Sequence, residues 1–196
     1  MKREMEKEFN PKDAIIVFLS FIAVCGAVLF ALLKNNLVDN QSLFLFQEPI
    51  KLIGSTISVS LGLLLFGILI TFLTPSKYID ETNKSYQNQS FSQLFSFLFV
   101  GALFEELLFR GIIQNILLTF LNNSWLAIIV TTLLFLALHV QYFKKPIMLL
   151  NIIVPSLAFG WVYFTTGNLL APFIAHFILN LGMTLLFKYN LIKMRE

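Results

Sequence analysis

The sequence predicts an all-α membrane protein that crosses the bilayer several times. Of its 196 residues, 57% are hydrophobic and only 13% are charged, and the mean hydropathy is +0.79. A soluble domain of this size needs far more polar surface, and a disordered chain needs more charge and fewer apolar residues. Apolar segments of about 20 residues recur along the chain, which is the length that a transmembrane helix requires.

Six apolar segments predict about six transmembrane helices, joined by short segments of turn residues. The first segment is too long for the apolar core of a signal peptide, so we expect it to span the membrane. The fourth is short and ends at His139 and Val140, so we expect its inner end to meet protein or water. The predicted spans are Ala14–Leu33, Leu52–Leu73, Leu94–Leu121, Trp125–Val140, Ile147–Phe164 and Leu169–Phe187.

The basic residues predict the orientation of these spans. If the N terminus is inside, 11 of the 14 Lys and Arg residues fall on inner segments, two (Lys34 and Lys51) fall outside, and Arg110 lies within a span. Positive charge is enriched in cytoplasmic loops. We therefore expect a multi-pass protein of the cell membrane with both termini in the cytoplasm.

The chain shows no internal repeat, and we divide it into three parts. Residues 1–90 would hold two transmembrane helices and a polar loop, 91–187 a catalytic core, and 188–196 a short basic cytoplasmic tail. No basic helix or glycine-rich phosphate loop is present, so we expect the lipid bilayer and no nucleic acid among its partners. Cys25 is the only cysteine, which excludes a disulfide framework and a cysteine-based metal site.

Two glutamates and an arginine remain inside the third apolar segment, in the stretch FEELLFRG. An ionised side chain at mid-bilayer costs about 2.5–3.5 kcal/mol on insertion scales, so such groups usually pair or line a cavity. Glu106 and Arg110 are four residues apart and should form an ion pair, which can also simply lock helices together. Glu105 is rotated by about 100° and should point elsewhere, and the sequence offers it no second intramembrane cation.

Both histidines of the chain, His139 and His176, also lie in apolar segments. A lone histidine on an apolar face is more often a hydrogen-bonded core residue, but two with no other histidine in the chain favour a site. Asn180 lies one turn after His176 on the same helix face. At 1.5 Å of rise per residue, Glu105 and His176 share a level in the membrane, with His139 nearer the cytoplasm.

These residues form three motifs that resemble a known signature. Glu105-Glu106-x-x-x-Arg110, Phe135-x-x-x-His139 and His176-x-x-x-Asn180 occur in this order on successive apolar segments. They resemble the motifs of the CPBP family of CAAX-processing and bacteriocin-processing intramembrane endopeptidases, also called the Abi family. The resemblance covers about half of the chain. It implies a helical membrane fold with a water-filled cavity open towards the cytoplasm.

By the same resemblance, Glu105 and His139 would activate water, and His176 and Asn180 would stabilise the oxyanion, with Glu106 and Arg110 in support. A carboxylate in apolar surroundings can act as a general base near neutral pH, and amide and imidazole N–H groups suit a developing oxyanion. We therefore predict an intramembrane endopeptidase acting on a peptide or protein precursor in or at the membrane. A bacteriocin or pheromone leader is the expected substrate, because the composition suggests an AT-rich bacterial genome, where protein prenylation is not expected.

Three alternatives to this interpretation remain: a zinc enzyme, a non-catalytic membrane protein and a transporter. Glu105, His139 and His176 could form a zinc site, but no H-E-x-x-H pair is present and Asn180 is a poor zinc ligand, so we favour no cofactor. A non-catalytic immunity factor or scaffold for a membrane partner protein is the second alternative, although all motif residues are retained here. A small transporter, the third, would show paired repeats or broken helices in corresponding halves, and the sequence has none.

Overall fold

The computed structural model describes residues 10–38, 43–74 and 89–192. These residues form a series of helices and contain no β-strand, so the predicted all-α class is confirmed. The elements are α1 (Pro11–Lys34), α2 (Pro49–Leu73), α3 (Phe91–Glu106), a π-helical segment (Leu107–Gln114), α4 (Asn115–Leu121), α5 (Ser124–Ala137), a 3₁₀ turn (Val140–Tyr142), α6 (Pro146–Thr166) and α7 (Leu170–Lys188).

Four of these helices, α1, α2, α6 and α7, are long and apolar enough to cross a membrane. They carry exposed leucine, isoleucine, valine and phenylalanine side chains, as expected of surfaces that face lipid. The chain is therefore a polytopic membrane protein. The other two predicted spans correspond to the continuous helical run 91–121 and to α5, which has only 14 residues. Residues 75–88 of the predicted polar loop and 193–196 of the predicted tail lie outside the described residues.

Local sequence signals explain where several helices begin and end. Pro11 and Pro49 stand in the first turn of α1 and α2, where a missing backbone N–H costs nothing. Ser90 and Gln93 form a capping box at the start of α3. Gly167 ends α6 with φ of +58°, a left-handed conformation that glycine adopts without strain.

Helix α7 lies at the centre of the bundle and packs against α2, α3 and α6. Helix α1 packs on α3 and the π segment, and α5 packs on α6 and the π segment. The contact between α2 and α7 is close, because a Cβ added to Gly182 would lie 2.8 Å from Cδ1 of Leu64, and one added to Gly67 would lie 3.0 Å from Sδ of Met183. Glycine therefore allows these two backbones to approach each other.

The turn between α6 and α7 is tied to the segment that follows α1. Asn168 is fully buried and donates from Nδ2 to the backbone carbonyl of Leu45 (3.0 Å), while its Oδ1 accepts the amide of Leu170 (2.9 Å). Backbone hydrogen bonds between 43–45 and 167–169 complete the contact. The start of α7, which carries His176 two turns later, is thus held in place.

Candidate active site

Glu106 and Arg110 form the ion pair that their spacing predicts. Arg110 donates from Nη1 to Oε1 of Glu106 at 2.9 Å, and both side chains are fully buried. Its other terminal nitrogen donates to the backbone carbonyl (2.8 Å) and hydroxyl (2.9 Å) of Ser156 on α6. The arginine therefore joins the end of α3 to α6 as well as neutralising the glutamate.

Aromatic rings enclose this pair on two sides. The guanidinium carbon of Arg110 lies 5.6 Å from the ring centre of Phe135 and 5.5 Å from that of Phe159. These distances allow cation–π attraction, which strengthens when water is excluded. Gln114 donates to the carbonyl of Gly160 at 2.9 Å, so a third buried hydrogen bond fixes the π segment on α6.

His176 lies between the two glutamates, a relationship that the sequence did not indicate. Its Nδ1 is 2.7 Å from Oε1 of Glu106, and its Nε2 is 3.6 Å from Oε2 of Glu105. Its ring stacks on that of Phe159, with centres 4.8 Å apart. The sequence analysis named no partner for Glu105, and the structure places the imidazole of His176 beside it. The predicted shared level of Glu105 and His176 is confirmed by their contact.

Glu105 borders a cavity of about 380 Å³, and its side chain is 25% exposed. His139, His176 and Asn180 line the same cavity, so the structure brings together all four residues predicted to be catalytic. Much of the remaining wall is apolar or aromatic, and includes Phe18, Phe66, Phe97, Leu98, Leu179 and Met183. A polar cluster in a mostly apolar concave site is the usual arrangement of a binding pocket.

The cavity extends to one end of the helical bundle. Thr74 and Phe187 line it at the ends of α2 and α7, and Met148 lines it near the start of α6. Because these residues line one cavity, the ends of α2 and α7 and the start of α6 lie at the same end of the bundle. A peptide could approach the polar cluster from this end without crossing the whole bundle.

His139 lies outside the helix in which the sequence placed it. Helix α5 ends at Ala137 rather than Val140, because the amides of Leu138 and His139 turn back to the carbonyls of Phe135 and Leu136. His139 donates from Nδ1 to the carbonyl of Phe135 at 2.8 Å, since a carbonyl can only accept. In the neutral ring, Nε2 then keeps its lone pair. This bond fixes the ring of His139 to the end of α5.

Several residues at the site were missed by the sequence analysis. Ser156 and Phe159 hold Arg110 and His176, but neither residue type carries a recognisable signal in an apolar helix. Asn151 and Tyr142 also line the cavity. One signal was available for Asn151: Pro155, four residues later in α6, has no N–H, so the carbonyl of Asn151 lacks its usual helical donor.

The side chains considered as zinc ligands do not form a metal-binding group here. Within the described ranges, no three His, Cys, Asp or Glu side chains are grouped so that they could hold a metal ion. Nδ1 of His139 contacts a backbone carbonyl and Nδ1 of His176 contacts Glu106, so Nε2 is the nitrogen of each ring that remains for a ligand. A mechanism without a cofactor therefore stays a prediction.

Comparison with known proteins gives a consistent family relationship. The family described as type II CAAX prenyl endopeptidase Rce1-like matches residues 87–182, a segment that contains all three motifs. The chain is also 28% identical over 136 residues to the uncharacterized protein YpbD of Bacillus subtilis (strain 168), an alignment that covers 68% of this chain and 67% of YpbD. No solved structure matches the chain significantly.

Proposed function

Because this chain belongs to the Rce1-like family of intramembrane proteases, we propose that it is an endopeptidase that cleaves a peptide or protein precursor at the membrane. The observation that carries the proposal is the shared cavity of Glu105, His139, His176 and Asn180. A carboxylate that shares a cavity with two imidazoles and an amide supplies a base, a group that orients water, and hydrogen-bond donors for an oxyanion.

In the proposed reaction, Glu105 removes a proton from a water molecule while Nε2 of His139 accepts a hydrogen bond from the same water. The water oxygen attacks the scissile carbonyl carbon. The resulting oxyanion receives hydrogen bonds from the Asn180 amide and from Nε2 of His176, which donates when both ring nitrogens carry a proton. The carboxylic acid of Glu105 then gives its proton to the leaving nitrogen as the C–N bond breaks. The carboxylate is regenerated, and the products are a carboxylic acid and an amine.

The proposed substrate is the leader of a bacteriocin or a peptide pheromone. The wall of the cavity is rich in phenylalanine, leucine and methionine, which suits apolar side chains on either side of the cleaved bond. If the N terminus lies in the cytoplasm, the end of the bundle that the cavity reaches also faces the cytoplasm. A precursor made in the cytoplasm then has direct access to Glu105.

Comparative peptidomics of membranes tests this function in cells. Cells producing Glu105→Gln should accumulate an uncleaved precursor and lose its product, relative to cells producing the wild type. Glu48→Gln is a matched control, because Glu48 is an exposed carboxylate at the start of α2 that pairs with Lys51. Identical peptide profiles for the wild type and Glu105→Gln would contradict proteolysis and favour the non-catalytic immunity or scaffold alternative.

A further inference from the structure

We propose that Glu106 is a positioning residue, which holds the imidazole of His176 so that Nε2 faces Glu105 and the cavity. This inference rests on the proposed function, in which Nε2 of His176 contacts the oxyanion. It assigns Glu106 a role beyond its ion pair with Arg110. The role of His176 itself then depends on a residue that does not touch the substrate.

The first support is the geometry of the contact between Glu106 and His176. The distance from Nδ1 to Oε1 is 2.7 Å, and the exposed fractions of the two side chains are 6% for His176 and 0% for Glu106. Arg110 donates to the same oxygen, so Oε1 of Glu106 acts as an acceptor at this contact. Nδ1 of His176 must then carry a proton. Nε2, on the opposite side of the ring, is the nitrogen that lies near Glu105.

A second support is that both donors meet at one oxygen of Glu106. Oε1 accepts from Arg110 and from His176, while Oε2 is buried and has no hydrogen-bond partner among the described residues. If Glu106 served only to join two helices through an ion pair, its hydrogen bond with Arg110 would be sufficient. The orientation of the carboxylate therefore serves the histidine as well as the arginine.

A third support is that the residues around His176 are themselves fixed by hydrogen bonds and ring contacts. Ser156 fixes the guanidinium of Arg110 with two hydrogen bonds, and Arg110 fixes Glu106. Phe159 stacks on the imidazole at 4.8 Å and limits its rotation. Outer hydrogen bonds of this kind set both the tautomer and the direction of a functional histidine.

Nitrogen-15 NMR of the ring nitrogens tests the proposal without a substrate. The chain has only two histidines, so histidine-labelled protein in nanodiscs gives two ring spin systems, and His139→Gln assigns them. His176 should carry a proton on Nδ1 in the wild type. A neutral His176 with its proton on Nε2 alone would overturn the proposal, whatever any variant does.

The double variant Glu106→Leu/Arg110→Leu supplies the second measurement. It removes the whole pair, so no buried charge is left alone, and such replacements are often neutral for stability. The Nδ1 proton of His176 should then redistribute between both ring nitrogens, whereas His139, held by the carbonyl of Phe135, should not change. An accumulating double variant with an unchanged His176 spectrum would show that Glu106 is only structural.

Measurements of kcat and KM distinguish a failure of this positioning role from a failure of the proposed protease function. With the precursor identified by peptidomics, the double variant should lose about 10²–10³-fold in kcat at similar KM, the usual cost of one oxyanion donor, because Glu106 no longer holds Nε2 of His176 towards the oxyanion. Full kcat would contradict the positioning role while leaving the protease function intact. If the wild type cleaves nothing but His176 still shows the Nδ1 proton, the proposed function fails and the placement of the ring stands.

Discussion

Glu105 and Glu106 are neighbours in the chain, but only Glu105 reaches the cavity: its side chain is 25% exposed, and that of Glu106 is fully buried. The difference follows from helical rotation, which turns adjacent side chains by about 100°. Glu106 is directed at Arg110 and His176, whereas Glu105 is directed at the cavity and contacts His176 there. Two identical side chains thus have different surroundings and should respond differently to the same substitution.

The two glutamates should therefore be separable by mutation to glutamine. Glu105→Gln keeps the shape but removes the base, so the protein should accumulate normally while cleavage is lost. Glu106→Gln leaves Arg110 buried without its counter-charge, which costs about 3–5 kcal/mol, so its abundance should fall as well. Quantitative immunoblots of membranes, read beside precursor cleavage, check both effects. Equal abundance and equal turnover of the two variants would show that their roles do not differ.

Gly160→Ala should destabilise the contact between the π segment and α6. A Cβ at this position would lie 2.9 Å from Cγ2 of Ile128 and 3.0 Å from Oε1 of Gln114, which cannot withdraw without weakening its bond to the Gly160 carbonyl. Overpacking of this kind typically costs about 1–3 kcal/mol. Gly54→Ala is the control, because a Cβ there meets no atom within 4 Å. The thermal unfolding of the two purified variants should differ, with Gly160→Ala less stable than Gly54→Ala.

Reporter fusions test the orientation on which access to the cavity depends. The 11 basic residues on one side and two on the other predict that a reporter fused after Lys84 lies in the cytoplasm and one fused after Asn123 lies outside. Paired alkaline phosphatase and fluorescent protein fusions give opposite signals in the two compartments. The reverse pattern would place the mouth of the cavity outside and remove the proposed route for a cytoplasmic precursor.

Chelation and metal analysis test the metal-free mechanism. Purified protein should cleave its substrate after exhaustive chelation, and Asn180→Ala should lose about 10²–10³-fold, mainly in kcat, because oxyanion donors act in the transition state. A zinc enzyme would behave differently: His176→Ala would lose metal and activity together, and Asn180→Ala would keep its metal. One equivalent of zinc in the wild type, needed to restore the chelated enzyme, would refute the metal-free mechanism.

Much of the fold was predictable because apolar length and turn residues define membrane helices. The Glu106–Arg110 pair was predictable for a similar reason, since a spacing of four residues on one helix leaves little freedom. The turn at Gly167 could be recognised from its residue type, because glycine adopts the left-handed conformation found there without strain. These features depend on local sequence.

Contacts between distant helices were less predictable. Residues 106 and 176 are 70 positions apart, and depth in the membrane gives their level but not the rotation of each helix about its axis. That rotation is set by packing, here of α7 on α2, α3 and α6. The π segment that follows Glu106 was also missed, because its apolar composition resembles that of an ordinary helix.

Cleavage kinetics of the purified protein test the central claim, that Glu105 is the base of a proteolytic site, most directly. The substrate is the precursor that accumulates in cells carrying Glu105→Gln, and the comparison is between the wild type, Glu105→Gln and Glu48→Gln. Loss of a general base costs about 10²–10⁴-fold, so Glu105→Gln should fall by that factor while Glu48→Gln retains the rate of the wild type. A Glu105→Gln protein that cleaves the precursor as fast as the wild type would contradict the account.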